Sequence, residues 1–111
     1  MAIYNQVLET AQTDVLTVPA DKKYAILTVL VCNYASTGSA RFTLHLVQNG
    51  DPRGDQNMIV NELELPAGET FTLDSEKIVL DSGDFISCYA QPDSGSGLTD
   101  LAITVSWMEA Q

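Results

Sequence analysis

The stretch Tyr24-Ala-Ile-Leu-Thr-Val-Leu-Val-Cys-Asn-Tyr34 constrains the fold more than any other part of the chain. From Ala25 to Cys32 it carries no charge and one hydroxyl, that of Thr28. Its β-branched and aromatic residues suit a pleated strand. Successive strand residues point to opposite sides, so a strand with one wet face alternates apolar and polar. Here both parities are apolar, which predicts a central strand covered on both faces. The domain's own core covers one face; a second subunit or a folded-over loop covers the other.

Shorter segments of similar character surround it. Residues 3–9 and 15–18 come before, and 40–48, 58–65, 70–73, 78–80, 85–90 and 98–108 come after. In 40–48 the alternation assigns Ala40, Phe42, Leu44 and Leu46 to the core and Arg41, Thr43, His45 and Val47 to a mostly wet face. The last segment alternates most cleanly, with Leu101, Ile103, Val105 and Trp107 on one side. Turn-forming clusters separate the segments: 19–21, 36–39, 49–55, 66–69, 81–84 and 91–97. About eight short strands with turn signals every ~8–12 residues predict an all-β fold, an antiparallel β-sandwich with jelly-roll character. Val18-Pro19-Ala20-Asp21 and Leu65-Pro66-Ala67-Gly68 echo one another, each opening a strand, as two related Greek keys would. At 111 residues the chain is read as one domain, 1–111, with 1–12 expected as an N-terminal arm.

Charge narrows the function classes. Five basic residues against fifteen acidic ones give a net charge of −10. Nucleic-acid binding needs a basic stripe that displaces counterions, and an anionic membrane surface needs one too; neither partner is expected. No apolar run approaches the ~18 residues of a bilayer span. The opening Met-Ala-Ile-Tyr-Asn-Gln lacks the basic and apolar regions of a signal peptide. Synthesis in the cytoplasm, with exit by lysis or within a particle, is the expectation.

The chemistry-bearing residues do not cluster. Cys32 and Cys88 read as small buried apolar residues, although a disulfide across a sandwich is also open. His45 is the one histidine, placed by alternation at a surface or interface, with no nucleophile or orienting group beside it. Asp81, Asp84, Asp93 and Asp100 suit turns better than a calcium loop. Glu62 and Glu64 are local neighbours on one strand face rather than two groups flanking a scissile bond. Arg53-Gly54-Asp55 lies in an exposed loop where Gly54 is expected to supply a tight turn. Trp107 joins the core side of its strand, while Tyr89 and Phe85 raise the alternative of a sugar-stacking platform. No catalytic residue, cofactor site or metal site is predicted.

Several segments, taken in order, resemble a known family. They are Val18-Pro-Ala-Asp-Lys-Lys-Tyr-Ala-Ile-Leu27, Val31-Cys-Asn33, the polar loop 35–40, Leu80-Asp-Ser-Gly-Asp-Phe-Ile86 and Ser106-Trp-Met-Glu109. Together, over residues 15–109, they are similar to small virion structural proteins of tailed bacteriophages: head-decoration, cement, neck or tail components. Asp21 stands where that family usually has Gly. The resemblance implies a non-enzymatic capsid decoration or cement protein that stabilises the head. It implies the major capsid protein or another virion protein as partner, and the virion as location. A homo-oligomer fits, a trimer being favoured, with Tyr24, Ile26, Leu30 and Tyr34 at its interface. Partner contact is expected through Ile3, Tyr4, Val7 and Leu8 of the arm, or Asp51, Arg53 and Asp55 of the loop. The alternatives are a neck or tail-fibre component, and a carbohydrate-binding or adhesion module marked by exposed aromatics.

Overall fold

The computed structural model describes residues 2–11, 13–92 and 99–110, and only the backbone path of 75–77. The described residues form strands β1 (Ala2–Val7), β2 (Asp14–Thr17), β3 (Tyr24–Asn33), β4 (Ala40–Val47), β5 (Met58–Leu65), β6 (Thr70–Leu80), β7 (Phe85–Pro92) and β8 (Leu101–Glu109), with one 3₁₀ turn at Asp55–Asn57. They make two four-stranded antiparallel sheets, ordered β1-β8-β3-β6 and β2-β7-β4-β5. First strand pairs with last, second with seventh, third with sixth and fourth with fifth. That is one long hairpin rolled up on itself, and the β3–β8 and β4–β7 ladders close the roll. The jelly-roll sandwich expected from the strand pattern is what the chain forms.

Alternation decides what fills the space between the sheets. Ile26, Val29 and Val31 of β3 meet Ile103 and Val105 of β8 on the inner side of one sheet, all at most 1% exposed. Phe42, Leu44, Ile86, Cys88 and Ala90 line the other sheet, all fully buried. Phe42 reaches Phe71 of the opposite sheet at a centroid separation of 5.3 Å, tilted by 59°. Burying each such aliphatic or aromatic side chain contributes about 1.5–3 kcal/mol.

Polar knots tie the two ends of the sandwich. At one end Asn33 is 1% exposed yet fully bonded. Its Nδ2 donates to Leu65 O at 2.9 Å and Gly38 O at 3.2 Å, and its Oδ1 accepts from Ala35 N–H at 2.9 Å. Its backbone bonds to Glu69 and Gly68 as well, so one residue joins the β3–β4 loop to the β5–β6 turn. At the other end the Asp84 carboxylate accepts from Asn49 N–H and Asp81 N–H, both at 2.8 Å. The Asp81–Asp84 turn is closed by Asp84 N–H donating to Asp81 O at 3.0 Å, and the Asp84 carboxylate reaches back to Asp81 N–H rather than two residues forward, as the expected Asx-turn would.

Other sequence expectations change too. Segments 70–73 and 78–80 are one strand, β6, bent where three residues oppose Leu27 alone. The first residues are no detached arm: 2–7 form β1, in register with β8, and Leu8 is 4% exposed in the core. Thr43, His45 and Val47 are at most 3% exposed rather than wet, and Asn57 of the loop after β4 lies over His45. Trp107 is half-buried, packed on the end of the core rather than inside it. Loop 93–97 and Leu98, with Asp93, lie outside the described residues.

The Pro-Ala echo has a structural counterpart. Lys22 N–H donates to Pro19 O at 3.2 Å and Glu69 N–H to Pro66 O at 3.1 Å. The third residue is left-handed in both turns: Asp21 at φ 62° and Gly68 at φ 78°. A left-handed L-residue costs about 1–2 kcal/mol, which Gly avoids and Asp partly tolerates. Gly68→Ala is therefore expected to lose about 1–2 kcal/mol in urea unfolding. Asp21→Gly is expected to change stability by less than about 1 kcal/mol, towards stabilisation. Equal losses in both variants would contradict the shared turn geometry.

Candidate interaction surfaces

Each sheet has an outer face, and the two differ in kind. The β2-β7-β4-β5 face is roofed. The loop after β4 folds over it, and the chain between β1 and β2 runs beside β7, where Glu9 O and Thr13 O accept from Ala90 and Cys88 N–H. Arg53 Nη1 bonds Asp14 Oδ1 at 2.6 Å and Ser87 Oγ at 3.2 Å. His45 Nδ1 lies 2.8 Å from Asn57 Oδ1. Asn57 Nδ2 donates to Pro52 O and its Oδ1 accepts from Gly54 N–H, so Oδ1 is the acceptor and His45 donates from Nδ1.

This network brings His45, Ser87 and Asp14 together, since Ser87 pairs in register with both others. The chemistry is nonetheless that of a latch. Ser87 Oγ donates to Thr13 O at 3.0 Å, and Ser87 and His45 are 0% and 3% exposed, so neither faces an open cleft. Arg53 is engaged with Asp14, which removes it from free display in an Arg-Gly-Asp tip. Gly54 is extended at φ −169°, so the tight-turn role assigned to it falls instead to Gly50 at φ 91°. Asp51 and Asp55 are exposed on the loop. Asp14, Asp51, Pro52, Arg53 and Phe85 line a shallow cleft of about 350 Å³.

The β1-β8-β3-β6 face is open, and its described side chains are almost all uncharged. Register builds it in rows: Ile3, Ser106, Thr28 and Asp74; Asn5, Thr104, Leu30 and Thr72; Val7, Ala102, Cys32 and Thr70. Met108, Ala25 and Val79 extend it. Asn5 Nδ2 donates to Thr104 Oγ1 at 2.7 Å across the first two strands. Ile3, Val7, Val79 and Met108 are 64, 58, 51 and 47% exposed. Asp74 is the one charged side chain among those described in these rows.

The four residues expected to share an oligomer interface do not share a face. Between Ile26 and Thr28 β3 carries one residue more than β8, a bulge, and a bulge switches the parity that points inward. Tyr24 and Ile26 are in the core; Leu30 lies on the open face and Tyr34 is exposed beyond the strand. Of the arm residues, Ile3 and Val7 are on the open face, Tyr4 is 39% exposed on the inner side of the edge strand, and Leu8 is core.

A third feature lies at the sandwich end opposite Asn33. Tyr24 and Trp107 stack at 5.2 Å with 23° between planes, and with Ala2, Met108 and Glu109 they line a groove of about 450 Å³. Lys22 and Glu109 form an ion pair at 3.4 Å at the same end of the sandwich. The two cysteines are free and sit differently: Cys32 on the open face, Cys88 in the opposite sheet's core. Among the described residues no group of three metal-ligating side chains forms, and no helix is long and apolar enough to cross a membrane.

Fold and surfaces together define a jelly-roll β-sandwich with one roofed and one open sheet face. No protein-family model, curated protein or solved structure matches the chain.

Burial pushes the Cys88 thiol from 9.0 up to about 12, with a smaller opposing effect from a hydrogen bond to the Tyr89 backbone. A raised thiol pKa means that folding disfavours the thiolate. The contribution to stability is whole below pH 9.0 and is lost as pH climbs towards 12. The difference in unfolding free energy between the wild type and Cys88→Ala should change by up to about 1.4 kcal/mol per pH unit over that range. Parallel pH profiles for the two proteins would contradict this.

Proposed function

We propose that this chain is a non-enzymatic structural protein of a tailed-phage virion, a decoration or cement protein that binds the major capsid protein and stabilises the head. The ordered segments from Val18 to Glu109 that resemble such proteins support the reading, as does the rigid jelly-roll scaffold. The observation that carries it is the segregation of charge. In a chain of net charge −10, a whole sheet face carries Asp74 as its single described charge. Charge depletion with exposed aliphatic side chains is the composition of an interface core. A repeating lattice also multiplies a modest contact into firm attachment, so no single strong site is required.

The capsid contact in this reading is the open face rather than the loop with Asp51, Arg53 and Asp55, which is held against its own sheet. Two measurements test it. Mass spectrometry of purified particles should find the chain in numbers matching capsid lattice sites; a neck component would appear at far fewer copies, and absence rejects the virion role. In co-sedimentation with particles stripped of the protein, Thr72→Lys and Thr104→Lys should each weaken binding about tenfold, equivalent to about 1.4 kcal/mol. Asp51→Lys should leave it unchanged, and the reverse pattern would move the contact to the loop.

A carbohydrate-binding reading has one observation in its favour, the Tyr24–Trp107 stack in its groove. Trp107 is the sole tryptophan, so its fluorescence reports directly on sugars entering there.

A further inference from the structure

Among the described residues, four strands have an edge that no other strand covers: β1 and β6 in one sheet, β2 and β5 in the other. An open edge presents backbone N–H and C=O groups to any incoming strand, and proteins block such edges with bulges, charges or brevity. Three of the four are blocked. β5 breaks register twice against β4, holds Glu62 at φ 48°, and carries Glu64. β2 is four residues long, irregular at Val15, and pinned at Asp14 by Arg53. β6 leaves register between Asp74 and Ile78.

β1 has none of these defences. Its register runs unbroken from Ala2 opposite Trp107 to Val7 opposite Ala102. Ala2–Leu8 contains no charge and no proline. Leu8 N–H donates to Leu101 O at 2.8 Å, which fixes the parity of the ladder. Even residues turn their main chain towards β8; Ile3, Asn5 and Val7 turn theirs to the open edge.

We propose that β1 pairs antiparallel with β1 of a second copy about a two-fold axis at Asn5, fusing two four-stranded sheets into one of eight. The sequence of β1 complements itself in that register. Ile3 meets Val7 of the second copy, a β-branched pair on the outer face. Asn5 meets Asn5, whose carboxamides offer donor and acceptor to each other. Tyr4 meets Gln6, a pairing already made within one strand by a 2.9 Å hydrogen bond. A one-residue slip would set outward-facing backbone groups against inward-facing ones. No like charges oppose each other between Ala2 and Leu8, although each copy carries −10 overall. The pairing also joins two open faces into one continuous surface. It stands on the edge geometry alone and holds whether or not the chain is a virion component.

Sedimentation velocity of the purified protein gives the test. The wild type should reach twice 12.0 kDa at concentrations up to about 100 μM. Val7→Pro removes a donor that faces only the open edge, so it should sediment at 12.0 kDa with an unchanged far-ultraviolet spectrum. Asn5→Cys places two thiols opposite each other at about 5.5 Å between Cα atoms, within disulfide reach, and mild oxidation should give a covalent dimer that the wild type does not. A monomeric wild type, a Val7→Pro variant that keeps the wild-type mass, a trimeric mass, or an Asn5→Cys variant that fails to cross-link would each overturn the pairing.

Discussion

β3 exchanges ladder hydrogen bonds with β8 on one side and β6 on the other, and drops Ile26, Val29 and Val31 into the space between the sheets. Every larger feature follows from burying that inner face. A strand in the middle of a sheet needs two neighbours, and both lie far away along the chain. The first-with-last nesting of the roll supplies them while leaving each crossing connection short. Most of the stabilising contacts consequently join residues distant in sequence, and a fold of this kind forms slowly compared with a helical domain of equal size.

Apolar burial alone would leave the ends of the sandwich loose. Asn33 closes one end and Asp84 the other, each satisfying backbone groups of more than one loop. A buried amide is tolerable only when its bonds are complete, because an unpaired buried donor or acceptor costs about 1–3 kcal/mol. The same economy explains the roof over the second sheet. Thr43, His45 and Ser87 are polar and buried, and each has a partner: Gln91 at 2.8 Å for Thr43, Asn57 for His45, Thr13 and Arg53 for Ser87.

Much of this was legible in the residues. Alternation in β8 and β4 named their core sides correctly, and the Pro-Ala echo marked two turns of the same geometry. What stayed hidden has a common cause, which is dependence on partners remote in sequence. Nothing between Ala2 and Leu8 announces that β1 will pair with a strand ninety-nine residues on, where Asn5 meets Thr104. His45 reads as wet because its cover comes from Asn57, twelve residues on in the loop after β4. The bulge at Leu27 leaves no mark in composition, yet it alone divides Tyr24 and Ile26 from Leu30. Asn33 did carry a signal: a lone polar residue at the inward parity set by Val29 and Val31.

The uneven placement of charge has a kinetic consequence. Ions screen solvent-exposed charges beyond a Debye length of about 10 Å at 0.1 M salt. Two copies of this strongly anionic chain repel each other at separations where the greasy sheet face is not yet felt. Dilute buffer therefore slows encounter between them, and raised ionic strength speeds it without altering any contact made at short range. Any close approach of two copies is thus set by the ionic strength of the medium as well as by the surfaces that meet.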